Sequence, residues 1–306
     1  MDIRVLGSAA GGGCPQWNCA CANCRGARDG SMRIEARKQE CVAVSADTRA
    51  WFLLNASPEI RSQIEAFPAL HPRRLRDSPI EGILLTNGDL DHTLGLLSLR
   101  ESQPLVIYAT EAVRRGFVEG NVLYRTLQRR PEQVTWRTLP LGGEVELTAN
   151  GAPSGLVVEA FAVPGKLPVH LEGLLTARSG EENVGFRILE RPTGRVLVYL
   201  PAVGHLTPEV LAKAGHADCL FFDGTFWSED ELVELGASAK RASDMAHLPI
   251  GGEGGSLSAL DRVNTPVRIY IHLNNTNPVL REDSAERAIA RRAGWRIARD
   301  GMEIVL

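Results

Sequence analysis

Leu85-Thr-Asn-Gly-Asp-Leu-Asp-His-Thr-Leu-Gly95 begins where the apolar run Ile80 to Leu85 stops, and it packs Asn87, Asp89, Asp91 and His92 into six positions. Oxygen donors and an imidazole on a loop at a strand end are how a rigid scaffold presents metal ligands. Asp91 and His92 would also suit the cap of a helix opening near Thr93, since Asp is a favoured N-cap. That role leaves unexplained His272, a second imidazole at the end of the apolar run Val267 to Ile271. Asp89 is either an extra ligand or acid–base group or a solvated loop carboxylate.

A second cluster is Cys14-Pro-Gln-Trp-Asn-Cys19-Ala-Cys21-Ala-Asn-Cys24. Thiolates this close repel one another unless a cation neutralises them, and a C-x-C-x-x-C turn points three sulfurs at one tetrahedral centre, so a structural zinc is expected. Cys14 and His247 are both open as its fourth ligand. Cys41 and Cys219 lie in apolar runs and are expected in the core.

The chain has 306 residues, 44% of them apolar and 23% charged, with a net charge of −3. That supports one large core, and a single domain over residues 1–306 is expected. Lys and Arg are scattered, which argues against nucleic acid as a partner. No segment approaches eighteen uninterrupted apolar residues, and Met1 to Gly7 carries no charged leader ahead of an apolar run. No membrane span and a cytoplasmic location are expected, in keeping with cysteines that do not form a small disulfide framework.

Strands are expected at 3–6, 41–45, 51–54, 82–85, 105–109, 134–139, 157–163, 183–189, 195–200, 219–222, 267–273 and 302–306. Start signals place helices at 59–65, 209–214, 229–235 and 285–293, and a short one that follows Ser256 or Ser258 and runs to Val263. So many strands, with helices late in each half, suit two packed sheets with helices outside.

The two motifs together resemble the metallo-β-lactamase superfamily, in the branch that holds tRNase Z and the phosphonate-pathway cyclic phosphodiesterase, and within it the B family of pyrroloquinoline quinone (PQQ) biosynthesis. Val163-Pro-Gly-Lys166, Phe221-Phe-Asp-Gly-Thr-Phe-Trp227, Met245-Ala-His-Leu-Pro-Ile-Gly251 and Ile271-His-Leu-Asn-Asn-Thr-Asn-Pro278 extend the likeness along the chain. The resemblance implies a four-layer αββα fold of two mixed sheets. It also implies that His247 closes the cysteine site, because the related phosphodiesterase shares its zinc with a late histidine.

Against the superfamily's His-x-His-x-Asp-His signature, Asn87 and Asp89 replace the first two histidines, Lys166 stands near a third, and Pro201-Ala202 occupies the place of the bridging Asp. By this resemblance the first metal position is dismantled and Asp91, His92 and His272 survive from the second; two imidazoles and one carboxylate with open coordination positions form the ligand set of non-haem Fe(II) oxygenases and are compatible with zinc as well. Asn87, Asp223 and Lys166 are expected around them, Asp223 orienting an imidazole or capping a turn, and Lys166 supplying an ammonium or lying on the surface. The resemblance implies an enzyme of PQQ biosynthesis that uses Fe2+ and O2, with zinc a competing occupant, to hydroxylate the tyrosine ring of a small peptide-derived Glu–Tyr substrate. Other proteins of the pathway are expected partners. A mononuclear zinc hydrolase and a carrier of the finished quinone are the alternatives.

Overall fold

The computed structural model describes residues 1–173 and 179–306. Strands β1 (Asp2–Gly7), β2 (Cys41–Ser45), β3 (Trp51–Leu54), β4 (Ile80–Leu84), β5 (Leu105–Ala109) and β6 (Val134–Thr138) form one sheet. Next come β7 (Glu144–Ala149), β8 (Ala152–Ala162), β9 (Val184–Glu190), β10 (Val196–Leu200), β11 (Cys219–Asp223), β12 (Val267–Ile271) and β13 (Trp295–Ile297), which form the other. The last strand, β14 (Glu303–Val305), returns to the edge of the first sheet, giving the orders β14-β1-β2-β3-β4-β5-β6 and β13-β12-β11-β10-β9-β8-β7. Both sheets are mixed, with β3 to β6 parallel in one and β10 to β13 parallel in the other.

Alternation along the strands decides what lies between the layers. Val42, Val44, Phe52 and Leu54 of the first sheet meet Phe186, Leu197, Phe221 and Ile269 of the second in the central core. The opposite faces are also apolar, as strands covered on both sides must be. Cys41, Ala43, Leu53 and Ile107 pack under α2 (Ile60–Glu65) and α4 (Glu111–Glu119). Leu220, Phe222 and Tyr270 pack under α5 (Pro208–Gly215) and α8 (Ala285–Arg292), where the Tyr270 and Trp295 rings stack with centroids 4.0 Å apart. The layers run helix, sheet, sheet, helix, as the sequence led us to expect, and Cys41 and Cys219 lie in the core.

The remaining helices are α1 (Ala22–Asp29), α3 (Leu90–Thr93), α6 (Glu231–Glu234) and α7 (Ser256–Ala259). Strands β7 and β13 and helices α1 and α4 were not anticipated. Gly116 lowers the helix propensity of α4, yet a side chain there would collide with Leu171, so packing outweighs propensity. The helix expected over 229–235 shortens to α6, and the one expected after Ser256 or Ser258 to Val263 ends earlier, as α7.

Because β1 is antiparallel to β2, and β2 to β3, the end of β1, the start of β2 and the carboxyl ends of β3 and β4 share one edge. The carboxyl ends of β11 and β12 meet them there, joined by the bridge between Ala9 and Leu273. Every side chain of the candidate site comes from this edge. Gly95, which closes the opening motif, lets the chain pass Ser57: a Cβ at Gly95 would lie 2.2 Å from the Ser57 carbonyl oxygen.

Candidate metal centre

Beyond β4 the chain turns through Asn87 into α3, and this places Asp91 and His92 opposite His272, which follows β12. Ligand atoms of Asp91, His92 and His272 all lie within 4.8 Å of one another. His272 Nε2 is 3.2 Å from Asp91 Oδ2, and His92 Nε2 is 4.0 Å from the same oxygen. Burial by itself would raise the Asp91 carboxyl, but the flanking His92 and His272 outweigh it and hold it well below the usual carboxylate range. Burial depresses His92, and on His272 the hydrogen bond and charge of Asp91 overcome the desolvation and raise it.

Both imidazoles are oriented from behind. Asn87 Oδ1 accepts from His92 Nδ1 at 2.8 Å and from the Asp89 amide at 3.0 Å, while Asn87 Nδ2 donates to Asn183 Oδ1 at 3.1 Å. The amide is therefore committed to fixing the His92 tautomer, and Nε2 is left facing the site. On the other side the Thr225 hydroxyl donates to Asp223 Oδ1 at 2.6 Å and accepts from His272 Nδ1 at 2.8 Å. Ligand imidazoles are held in this way by partners that fix ring and tautomer.

Glu40 was not anticipated. It immediately precedes β2 and is fully buried, and its Oε2 lies 3.4 Å from His92 Nε2 and accepts from Asn55 Nδ2 at 2.9 Å. Glu40 Oε1 and His92 Nε2 are both buried without a hydrogen-bond partner. Unpaired buried polar atoms are costly and call for an explanation, and a divalent cation among Asp91, His92, His272 and Glu40 is the chemistry they fit. Burial pushes the Glu40 carboxyl up to about 8 against the smaller effect of Asn55. The one trace of it in the sequence is a charged residue abutting the apolar run 41–44.

Asp89 is half-buried at the N-terminus of α3 and lies outside the trio. Lys166 is exposed and lines a cavity of about 830 Å³ with Pro164, Gly165, Asn183, His205 and Ala246. This cavity touches the site through Asn183, which also holds the Val163 and Ala202 carbonyls.

Cys19, Cys21 and Cys24 converge as their spacing implied, with all three sulfurs within 4.8 Å of one another. His247 does not join them, and this corrects the fourth ligand. His247 Nδ1 lies 2.7 Å from Asp223 Oδ2, and its ring stacks on His272 with centroids 5.4 Å apart. The reason is β11: its last residue, Asp223, is a buried carboxylate held low, against its own desolvation, chiefly by His247. Asp223, His247 and His272 make a third cluster in which the Thr225 hydroxyl occupies the middle, 3.1 Å from His247 Nδ1. Cys14 is buried apart from the three sulfurs, its backbone paired with Arg37.

A family profile described as the beta-lactamase superfamily domain matches residues 50–273. The coenzyme PQQ synthesis protein B of Rhizobium meliloti is 44% identical, covering 100% of this chain and 98% of that protein. That of Ruegeria pomeroyi is also 44% identical, covering 100% of both. A crystal structure of Zn(2+)-bound PqqB from Methylobacterium extorquens superposes with a TM-score of 0.91 at 41% identity, covering 100% of both chains. A diphosphatase from the PhnP family, at 19% identity and a TM-score of 0.66 over 99% of this chain and 96% of that one, shares the fold. The chain belongs to the coenzyme PQQ synthesis protein B family, within the beta-lactamase superfamily.

Proposed function

We propose that this chain catalyses an oxidative, metal-dependent step of PQQ biosynthesis, the hydroxylation of the tyrosine ring of a peptide-derived Glu–Tyr intermediate. Asp91, His92 and His272 would hold Fe2+, with Glu40 completing the charge, and Cys19, Cys21 and Cys24 would hold a structural zinc. One observation carries the reading: His92 Nε2 is buried and uncommitted beside Asp91 and His272, while Asn87, where a ligand of a first metal would stand, is spent on holding the His92 ring. A mononuclear centre of two imidazoles and one carboxylate follows, and dinuclear hydrolysis loses its second ion.

When bound, iron would supply activation of O2, which ring hydroxylation requires and water-activating zinc does not provide; one oxygen atom would enter the ring and the other leave as water, with the two electrons coming from an external reductant. The residues supply the setting. Asp91 and Glu40 would balance the two positive charges of the cation, and Asn87 and Thr225 keep both Nε2 atoms turned inward. We assign the cavity beside Asn183 to the substrate, because it opens one hydrogen bond away from the Asn87–His92 pair.

Anaerobic reconstitution with Fe2+, followed by product analysis under 18-O2 with a chemical reductant present, tests the proposal. Label arriving on the ring from O2 is the expected result, and anaerobic turnover with zinc would overturn it. A mononuclear zinc hydrolase is the second reading, favoured by the zinc-bound state of the solved relative.

A further inference from the structure

One wall residue of the cavity beside the metal centre is bonded to both. Asn183, buried just ahead of β9, donates through Nδ2 to the Val163 carbonyl at 3.1 Å and to the Ala202 carbonyl at 3.0 Å, and its Oδ1 accepts from Asn87 Nδ2 at 3.1 Å. Val163 follows β8 and Ala202 follows β10, so the amide joins the chains leaving both strands. The cavity walls continue from those chains as Pro164-Gly165-Lys166 and Gly204-His205. We propose that Asn183 couples the cavity to the metal centre. Through Asn87 it sets the tautomer of His92, and an occupant of the cavity and a cation on His92 each strengthen the binding of the other, a coupling that rests on the metal and substrate assignments proposed above.

The orientation of each amide in this chain is forced. Both hydrogens of Asn183 Nδ2 are taken by carbonyl oxygens, so Oδ1 is the end left for Asn87. Turned round, Asn183 would set its own oxygen against two carbonyl oxygens with no proton among them. At the far end the Asp89 amide donates to Asn87 Oδ1 at 3.0 Å, which fixes Asn87 in the same sense. His92 Nδ1, 2.8 Å from that Oδ1, must therefore carry the proton, and Nε2 keeps the lone pair that a cation requires. Two backbone carbonyls at the cavity thus decide, through two side chains, which nitrogen of His92 is free to bind metal.

Close packing makes the link stiff. A Cβ at Gly165 would lie 2.5 Å from Asn183 Nδ2, so the wall runs directly against the amide. The Gly204 amide donates to the Pro164 carbonyl at 2.7 Å, tying the two walls together, and the Val163 amide donates to the Asn183 carbonyl at 3.0 Å. The same segment reaches the second imidazole: the Val203 amide donates to Asp223 Oδ2 at 2.8 Å, and Asp223 holds Thr225, which holds His272. An occupant packed against Pro164, Gly165 and Gly204 keeps the Val163 and Ala202 carbonyls on Asn183, and a cation that fixes His92 orders Asn87 and Asn183 from the other side. Each event orders groups that the other needs, and a coupling of this kind is reciprocal. Asn183 acts through Asn87 and is a positioning residue for His92.

The test uses the full chain as wild type, N183A and G165A, with melting curves to establish folding. G165A keeps both asparagines and disturbs only the contact between wall and amide, so it decides the question even where N183A does not fold. Nitrogen-15 NMR of histidine-labelled, metal-free protein reads the His92 tautomer. Anaerobic titration reads the Fe2+ affinity with and without the Glu–Tyr intermediate. Wild type should carry the His92 proton on Nδ1 and bind Fe2+ roughly 5-fold or more tightly when the intermediate is present, and the intermediate should gain the same factor from Fe2+. N183A should lose the single tautomer and bind Fe2+ roughly 10–100 times more weakly, and in both variants the coupling should disappear.

A His92 proton on Nε2 in wild type, or an unchanged tautomer and Fe2+ affinity in N183A, would overturn the role of Asn183 in setting His92. Fe2+ affinity that ignores the intermediate in wild type, or undiminished coupling in the folded variants, would overturn the link to the cavity. An intermediate that does not bind wild-type protein at all would remove the substrate reading together with the coupling, while the tautomer in the variants would still decide whether Asn183 sets His92.

Discussion

Replacing Glu40 by Gln should move stability and metal affinity in opposite directions. The carboxyl is fully buried, accepts one hydrogen bond from Asn55 and leaves Oε1 unpaired. In the metal-free protein burial moves it from 4.5 to about 8. At about 1.4 kcal/mol per tenfold change, that sets a ceiling of ~5 kcal/mol on the cost of the charged form. Between those two values the folded protein holds a proton that the unfolded chain has released, so stability falls as pH rises through the window. Glutamine is neutral and keeps an oxygen for Asn55, and it removes the dependence.

Metal-free E40Q should therefore match wild type near pH 5 and exceed it at pH 8. We expect roughly half the ceiling, ~2 kcal/mol, because buried sites respond with an effective dielectric nearer 20 than 4. With a divalent cation bound the sign reverses, since Glu40 and Asp91 together balance its charge, and E40Q should weaken binding roughly 10–100-fold. Urea unfolding of chelator-treated protein at pH 5, 6.5 and 8, with metal titration at pH 7, reads both effects. Parallel pH dependences for the two proteins, or equal metal affinities, would refute the reasoning.

Two further outcomes follow from the same geometry. Thr225→Val leaves Asp223 Oδ1 and His272 Nδ1 without their shared partner; we expect a stability loss of ~1–3 kcal/mol in thermal or urea unfolding, and metal affinity lowered more than in a surface control variant. His92→Ala should abolish Fe2+ binding and O2 uptake while metal analysis still finds zinc on the cysteine turn, because the two sites share no ligand; loss of both metals together would count against separate sites.

The spacing of Asn87 to His92 and of Cys19 to Cys24 was readable because each cluster is local. Residues no more than five positions apart are brought together by one turn, whatever the rest of the fold does. Strands such as 41–45, 105–109 and 219–222 were equally plain, since β-branched and aromatic runs bounded by turn residues carry their own signal. Sequence also showed that Asn87 and Asp89 stand where the superfamily signature has histidines, because that depends on residue identity alone.

Partners far apart in the chain were decided by tertiary structure. Glu40 precedes His92 by half a hundred residues, and nothing local marks it; it reaches the site because β2 starts at the edge where β4 ends. His247 was assigned to the wrong centre for the same reason. Its sequence offers an imidazole, and only the buried Asp223 at the end of β11, with Thr225 beside it, determines which cluster that imidazole serves. Residue types and short spacings state which chemistry a chain can perform, but which groups share one centre is fixed by strand order and register, which sum over the whole fold.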